Sequence, residues 1–562
     1  MVLSPKLFGY MAVAALGSAT AESSERCFPD NFLLGTATAS YQVEGAWNQT
    51  GRTPSIWDDF CRSRPEVQCA NVADDFVHRY VADIDIMKNL GLSSFRFSIS
   101  WSRVMNWNNA TKQMVPNKSG INFYHAMIDK LNSVNITPVL TLYHWDLPSE
   151  LHTQANGWLN SSIVDHFNAY ASLMYDEYGK KVPYWTTFNE PWTFTTAGYG
   201  EGKSAPGLGN SNTNVYLAAH NVLLAHGTAV KTFRQKKING KIGIVLNSDM
   251  AFPLDPNSAE DQEAAERKLQ FALGWYLNPI VNGDYPEVMK KRAGDHIPRF
   301  TLEQSALLRG SYDVFMLNHY SSNRVTDCAS PRSKTPCNTL SKGWSGDLAI
   351  DQSQNPIGSR PASTNAKGES LCGWFNGYPW GYLPMIRWMH NFNKSAPILL
   401  TENGWCGNST IDNQDQLWYY QGYLDQVWQG LQEGIPIIGY TAWSFVDNYE
   451  WGSFEPRFGL FHVNFPPQTG SKEGFTPLDT DLKLTPRPAA TWFGSVAKSR
   501  CMKPFTDNTV VPDVPSSSPS KTGFYVGIVG LVLIGAVIVG VYIYQRRPQG
   551  TANEQTPLVA KD

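Results

Sequence analysis

The sequence has no strong excess of either charge. Its 562 residues hold 46 Lys+Arg against 49 Asp+Glu, a net charge of −3. That leaves no basic field of the kind that holds nucleic acid. No Cys-x-x-Cys pair occurs among the eight cysteines, which argues against a structural zinc. No other ligand cluster is visible, so neither a metal nor a cofactor is implied. Long apolar runs are scarce, and two stand out. Residues 1–21 read as a secretory signal: Lys6 supplies the basic start, residues 7–16 are largely apolar, and Ala19-Thr20-Ala21 is a small-x-small cleavage site. Residues 524–544 are 21 residues without a charge, enough to span roughly 30 Å as a helix. Tyr525, Tyr542 and Tyr544 lie near the two ends of this run. Arg546 and Arg547 follow it and put the polar tail, 545–562, in the cytoplasm. Residues 506–523 are Pro/Ser-rich and read as an extended stalk. The expected organisation is a signal peptide, a large exported part over 22–505, a stalk, one transmembrane helix and a cytoplasmic tail. This makes a single-pass type I membrane protein with its main part extracellular or lumenal.

Export permits disulfides. Eight cysteines allow 105 connectivities. Cys61/Cys69 and Cys328/Cys337 would close short polar loops. Cys27 and Cys501 flank the large exported part and could staple its termini, which leaves Cys372 and Cys406. Sequons at Asn48, Asn109, Asn117, Asn160, Asn393 and Asn408 suit a glycan-coated surface. The sequon at Asn135 is disfavoured, because Pro138 follows and a strand begins there.

Between these features, strand and helix patterns alternate. Short apolar or alternating strands are expected at 32–38, 94–98, 137–142, 182–186, 241–246, 314–317, 397–400 and 437–442. Helical spacing fills intervals such as 73–90, 121–134, 163–178, 215–231, 259–276 and 414–432. In 215–231 the core candidates are Leu217, Val222, Leu224 and Ala225. Residues 330–373 are long, polar and rich in Pro, Gly and Ser, and read as an insertion loop. Eight strand–helix repeats imply a parallel sheet closed into a barrel. An open, doubly wound sheet also alternates, but it does not predict polar clusters after seven separate strands. Such clusters occur: Gln42 after the first strand, Arg96 in the second, His144 after the third, Asn189 and Glu190 after the fourth, Asn318 and Tyr320 after the sixth, Glu402 after the seventh, and Trp443, Glu450 and Trp451 after the eighth.

Two of these clusters match each other. Thr187-Phe188-Asn189-Glu190-Pro191 and Thr401-Glu402-Asn403-Gly404 each place a glutamate beside an asparagine where a strand ends. A lone glutamate there is ordinarily a solvated loop carboxylate. A pair facing one ligand is the equipment for cleaving a glycosidic bond.

The two motifs, in this order, resemble the acid/base and nucleophile motifs of family 1 glycoside hydrolases, the β-glucosidase and lactase group. The resemblance runs from about Phe28 to Phe493. It implies a (β/α)8 TIM barrel with long βα loops. It also implies a retaining double displacement in which Glu190 is the acid/base and Glu402 the nucleophile, with the two carboxyls about 5–5.5 Å apart. Arg96 would stand beside Glu402 and lower its pKa, and Tyr320 would donate to the same carboxylate. The charge on Glu402 would raise the pKa of Glu190 until the glycosyl-enzyme forms. Gln42, His144, Asn189, Asn318, Trp443, Glu450 and Trp451 would hold the sugar: Gln42 and Glu450 as two-pronged partners of hydroxyls, Asn189 at the 2-hydroxyl, and Trp443 under the ring. Glu190, where thioglucosidases of plants carry Gln, favours O-glycosides. The Glu450-Trp451 pair favours an unphosphorylated sugar. The expected substrate is a β-glucoside, or else a β-galactoside or β-fucoside. Two alternatives share the barrel: a non-catalytic carbohydrate- or protein-binding ectodomain, and a transglycosidase. The aglycone is left to loops such as 330–373.

Overall fold

The computed structural model describes residues 25–209, 211–341, 343–466 and 481–507. The expected signal segment, most of the stalk, the 524–544 run and the tail lie outside these residues. Among the described residues no helix is long and apolar enough to cross a membrane.

Eight parallel strands close into a barrel in chain order. They are β1 (Leu33–Ala37), β2 (Ser94–Ser98), β3 (Thr137–Tyr143), β4 (Tyr184–Asn189), β5 (Lys241–Asn247), β6 (Phe315–Asn318), β7 (Ile398–Asn403) and β8 (Ile437–Trp443). The ring is completed by β8 on β1, with Gly439 opposite Leu33. Helices on the outside follow the strands, for example Phe76–Leu90 after β1, Ile163–Tyr178 after β3, Gln414–Gln432 after β7 and Pro488–Ser499 after β8. Local chemistry sets their ends. Phe76–Leu90 stops at Gly91, whose φ of 84° suits a residue without Cβ. Gln414–Gln432 starts at Asn413, whose side chain accepts from the Gln416 amide.

The core has two parts. Val139, Val245, Val314, Met316 and Leu399 form a small cluster carried by strands β3, β5 and β7 and the β6 segment. A much larger apolar cluster joins the barrel to its helices, and its burial drives folding. Four disulfides form: Cys27–Cys501, Cys61–Cys69, Cys328–Cys337 and Cys372–Cys406. The first sits where Arg26–Cys27 pairs with Cys501–Met502, so the ends of the described part are tied.

Several expectations need correction. Of the four expected core residues in helix Asn214–Gln235, Val222 and Ala225 are buried, whereas Leu217 is 36% exposed and Leu224 only half-buried; Val215, Ala218 and Leu223 are buried as well. An offset of one position along a helix turns a side chain by about 100°, which carries Leu217 and Leu224 off the face that their neighbours Ala218 and Leu223 bury. The 330–373 insertion is not a plain loop. It holds helix Trp344–Leu348 and strand Ile350–Gln354, and this strand pairs with Ser322–Asp327, which in turn pairs with Met250–Pro253. The Gln42 segment is a helical turn, Ser40–Val43, rather than an open loop. Asn117 caps helix Lys118–Ser133, and its amide nitrogen donates to the carbonyls of Thr50 (2.8 Å) and Arg103 (2.9 Å), so this sequon is engaged within the fold.

Candidate active site

Every barrel strand runs in the same direction, so all the strand-end motifs meet at one mouth. There a cavity of about 430 Å³ is lined by His144, Asn189, Glu190, Asn318, Tyr320, Glu402, Trp443, Glu450 and Trp451. Arg96 is bonded to Glu402, and Gln42 to Glu450. All eleven residues picked from the sequence are therefore assembled at one place. A second hollow of about 680 Å³ elsewhere is lined by a single carboxyl, Glu455, and lacks this chemistry.

Glu190 is the residue after β4. Its amide donates to the Val245 carbonyl at 2.9 Å, and its φ of 47° lies in the left-handed region. A β-carbon makes that conformation costly, and such strain concentrates at functional sites. Pro191 then begins a short helix, Pro191–Thr195. The effect is to turn the carboxyl into the cavity. There Oε1 accepts from Asn318 Nδ2 at 2.7 Å and Oε2 from Thr193 Oγ1 at 2.9 Å.

Glu402 lies within β7 and is 3% exposed. Arg96, itself 1% exposed, forms an ion pair with its Oε1. Tyr320 donates to Oε2 at 2.7 Å. The Tyr320 backbone is fixed in turn, because its carbonyl accepts from Tyr419 (2.9 Å) and Tyr423 (3.0 Å) on the outer helix. Gly404 lets this turn close: a Cβ there would fall 1.8 Å from the Trp443 carbonyl oxygen.

Asn189 links the two glutamates. Its Oδ1 accepts from Arg96 Nη2 at 2.6 Å and from Asn318 Nδ2 at 3.1 Å. Its Nδ2 lies 3.0 Å from His144 Nε2, while His144 Nδ1 has no protein partner. Gln42 Nε2 donates to Glu450 Oε2 at 3.1 Å and to the Tyr449 carbonyl at 2.8 Å, leaving its Oε1 buried without a partner. The His144 ring is stacked near both Trp443 and Trp451.

The electrostatics are uneven. Burial, and after it the charge on Glu402, pushes the Glu190 carboxyl up to about 8; Asn318 and Thr193 oppose the shift. The sequence reading gave the neighbouring charge as the cause, yet desolvation is the larger contribution. Glu450 is also pushed up to about 8, by burial first and Glu402 second. Burial, helped by the charge on Arg96, drives the His144 ring well below its ordinary value, so it is neutral. Such a site can hold an uncharged ligand rich in hydroxyls between one ion-paired carboxylate and one protonated carboxyl. Among the described residues, the groups spaced for a metal ion contain disulfide-bonded cysteines, whose sulfurs are not available as thiolate ligands.

The cavity also holds residues the sequence reading did not select: Trp192, Thr193, Asn247, Asp249, Lys268 and Trp374. Asn247-Ser248-Asp249 is a polar cluster at the end of β5, the one strand to which none was assigned, so a signal was present. Lys268 sits inside a helix and Trp374 inside the insertion, and nothing local marks either.

The family model described as "Glycosyl hydrolase family 1" matches residues 24–502. Among curated proteins, the chain is 36% identical over 495 residues to β-glucosidase 26, peroxisomal, of Arabidopsis thaliana, covering 83% of this chain and 84% of that one. It is 37% identical over 484 residues to raucaffricine-O-β-D-glucosidase of Rauvolfia serpentina, covering 78% and 87%. Among solved structures, a rice β-glucosidase superposes with a TM-score of 0.75 at 33% identity, covering 84% of this chain and 98% of that one.

Proposed function

The chain belongs to glycosyl hydrolase family 1, and from that premise we propose a retaining β-glucosidase in which Glu190 is the acid/base and Glu402 the nucleophile. The chain is an O-glycosyl hydrolase; the curated relatives named β-glucosidases support glucose as the sugar. One observation carries the roles. Two buried carboxyls line one cavity, with Glu402 ion-paired to Arg96 and Glu190 held up to about 8.

The chemistry follows from that difference. Glu402, held by Arg96 and Tyr320, attacks the anomeric carbon while protonated Glu190 gives its proton to the departing oxygen. Once Glu402 is esterified its charge is gone. Glu190 then becomes a better acid, and its conjugate base takes a proton from the incoming water. The buried, partnerless Gln42 Oε1 and His144 Nδ1, with Glu450, supply partners for sugar hydroxyls. The Trp443 and Trp451 rings give the apolar faces of the pyranose a surface to lie on.

The test is hydrolysis of a chromogenic β-glucoside, with the anomer released first identified by NMR. Release of β-glucose is expected. Release of α-glucose ends the retaining mechanism, and no release at all favours the non-catalytic binding ectodomain.

The membrane-anchored arrangement belongs to the same proposal: one span at 524–544 with the barrel on the extracellular or lumenal side. It rests on the uncharged run and on Arg546 and Arg547 after it. Carbonate extraction of membranes should leave the full chain in the pellet and release a chain ending at 507.

A further inference from the structure

Helix Gln414–Gln432 follows β7 and carries Tyr419, Tyr420 and Tyr423, all fully buried. Tyr419 and Tyr423 are four positions apart and so share a face of the helix. Their rings stack with centroids 3.9 Å apart. Both hydroxyls reach the Tyr320 carbonyl, Tyr419 at 2.9 Å and Tyr423 at 3.0 Å. They occupy both lone pairs of a carbonyl that lies past the end of β6. Each hydroxyl also accepts: Tyr419 from Asn403 Nδ2 at 2.9 Å, and Tyr423 from the Tyr378 amide at 3.0 Å. Asn403 is the residue after Glu402, and Tyr440 on β8 holds its Oδ1 at 2.7 Å. Tyr420 turns elsewhere and donates to the Trp443 carbonyl at 2.9 Å.

From the Tyr419 hydroxyl, contacts therefore run toward Glu402 by two routes. One passes through Tyr320, whose phenol donates to Glu402 Oε2 at 2.7 Å. The other passes through Asn403, which is bonded to Glu402 along the chain. Donor bonds linked in this way strengthen one another. Two bonds to one oxygen, from stacked rings, restrain the Tyr320 backbone from two directions. A nucleophile needs that restraint, because misplacing it by about 1 Å can cost about a hundredfold in rate.

We propose that Tyr419 and Tyr423 are positioning residues for the nucleophile, which through Tyr320 and Asn403 aim the Glu402 carboxylate at the anomeric carbon. This rests on the retaining β-glucosidase reading. A merely structural role would lower stability and weaken ligand binding generally. Positioning confines the loss to bond formation by Glu402. Tyr420 supplies the contrast: it holds Trp443, which lines the cavity, so its loss acts on binding and independently of Tyr320.

The test isolates the Glu402 step with 2,4-dinitrophenyl 2-deoxy-2-fluoro-β-glucoside. A Glu402 oxygen bonds to the anomeric carbon, and dinitrophenolate leaves with the bonding pair and without a proton from Glu190. The fluorine slows hydrolysis of the ester, so trapping yields a binding constant and a first-order rate constant. Tyr419→Phe in the full chain keeps the ring stack and removes the hydroxyl. Its trapping rate constant should fall about ten- to a hundredfold, the scale of a misplaced reacting group, with the binding constant nearly unchanged. Tyr423→Phe should lose less, because Tyr419 still holds the carbonyl and Asn403. In a Tyr320→Phe background Tyr419→Phe should cost much less than alone, whereas Tyr420→Phe should add its full effect, chiefly on binding. Full additivity of Tyr419→Phe with Tyr320→Phe, or equal losses in both constants, overturns the proposal. If Tyr419→Phe does not fold, judged by its Tm, the same cycle with Tyr423→Phe decides. A wild-type chain trapped at Glu402, with Tyr419→Phe trapped as fast, sinks this inference alone; a wild-type chain that is not trapped and cleaves no aryl β-glucoside sinks the parent reading with it.

Discussion

Asn318 donates to Glu190 at 2.7 Å from a strand position whose register partner is Glu402. The same amide donates to Asn189, which accepts from Arg96, which is ion-paired with Glu402. The two carboxyls are thus the ends of one chain of polar contacts, and each end is set differently. Removing Asn318 takes away a bond that favours ionised Glu190. Asn318→Ala should therefore move the alkaline limb of kcat/KM to higher pH and lower its plateau by about tenfold. A pH–rate series on an aryl β-glucoside checks it, and an unmoved limb contradicts the link.

The acid form of Glu190 must be present for the first step, so kcat/KM should fall above about pH 8. Glu450 is also held up to about 8, and Glu450→Gln separates the two. Activity should drop in that variant while the alkaline limb stays in place. Loss of the limb would reassign it to Glu450.

The same shift makes a stability statement. Glu190 in the folded chain binds its proton up to about pH 8, whereas an unfolded glutamate loses it near about 4.3. Between those values the native state holds more protons, so this group's contribution falls as pH rises through that window. Glu190→Gln should accordingly raise Tm by a few degrees at pH 8 and by little at pH 4. A differential scanning series at both pH values decides it.

Glu402→Ala should lower turnover by several powers of ten on every glycoside, since no covalent intermediate can form. Glu190→Ala should cost most with poor leaving groups and little in the first step with nitrophenyl ones. Azide should restore part of the Glu190→Ala rate by replacing activated water. Indifference of Glu190→Ala to leaving-group pKa would remove its role.

Arg96→Met leaves the Glu402 carboxylate buried beside Glu190 and Glu450 without its counter-charge. Breaking a buried pair in this way typically costs about 3–5 kcal/mol. Activity should be lost and Tm should fall, with part of the Tm loss reversed in the Arg96→Met, Glu402→Gln double variant. Full additivity of the two changes in Tm would show that the pair is not coupled.

Much of this was legible before folding. Strands such as Ser94–Ser98 and helices such as Ile163–Tyr178 and Gln414–Gln432 follow from local periodicity, and the structure returns their bounds almost unchanged. Cys61 and Cys69 are close in sequence, so their pairing needed little tertiary information. The structure within 330–373 was not legible, because strand Ile350–Gln354 exists only by pairing with Ser322–Asp327. Lys268 was equally hidden: a lysine in a helix reads as solvent-facing, and only packing against Trp192 and the wall near Asp249 takes it out of water.

The sequence by itself determined the eightfold alternation and the residue types delivered to each strand end, because both depend on neighbours a few positions away. Tertiary structure alone decided that burial outweighs the neighbouring charge in raising the Glu190 carboxyl, and that Lys268 is taken out of water against Trp192. Desolvation is a sum over every segment that excludes water from a group, and those segments are brought together only when the barrel closes.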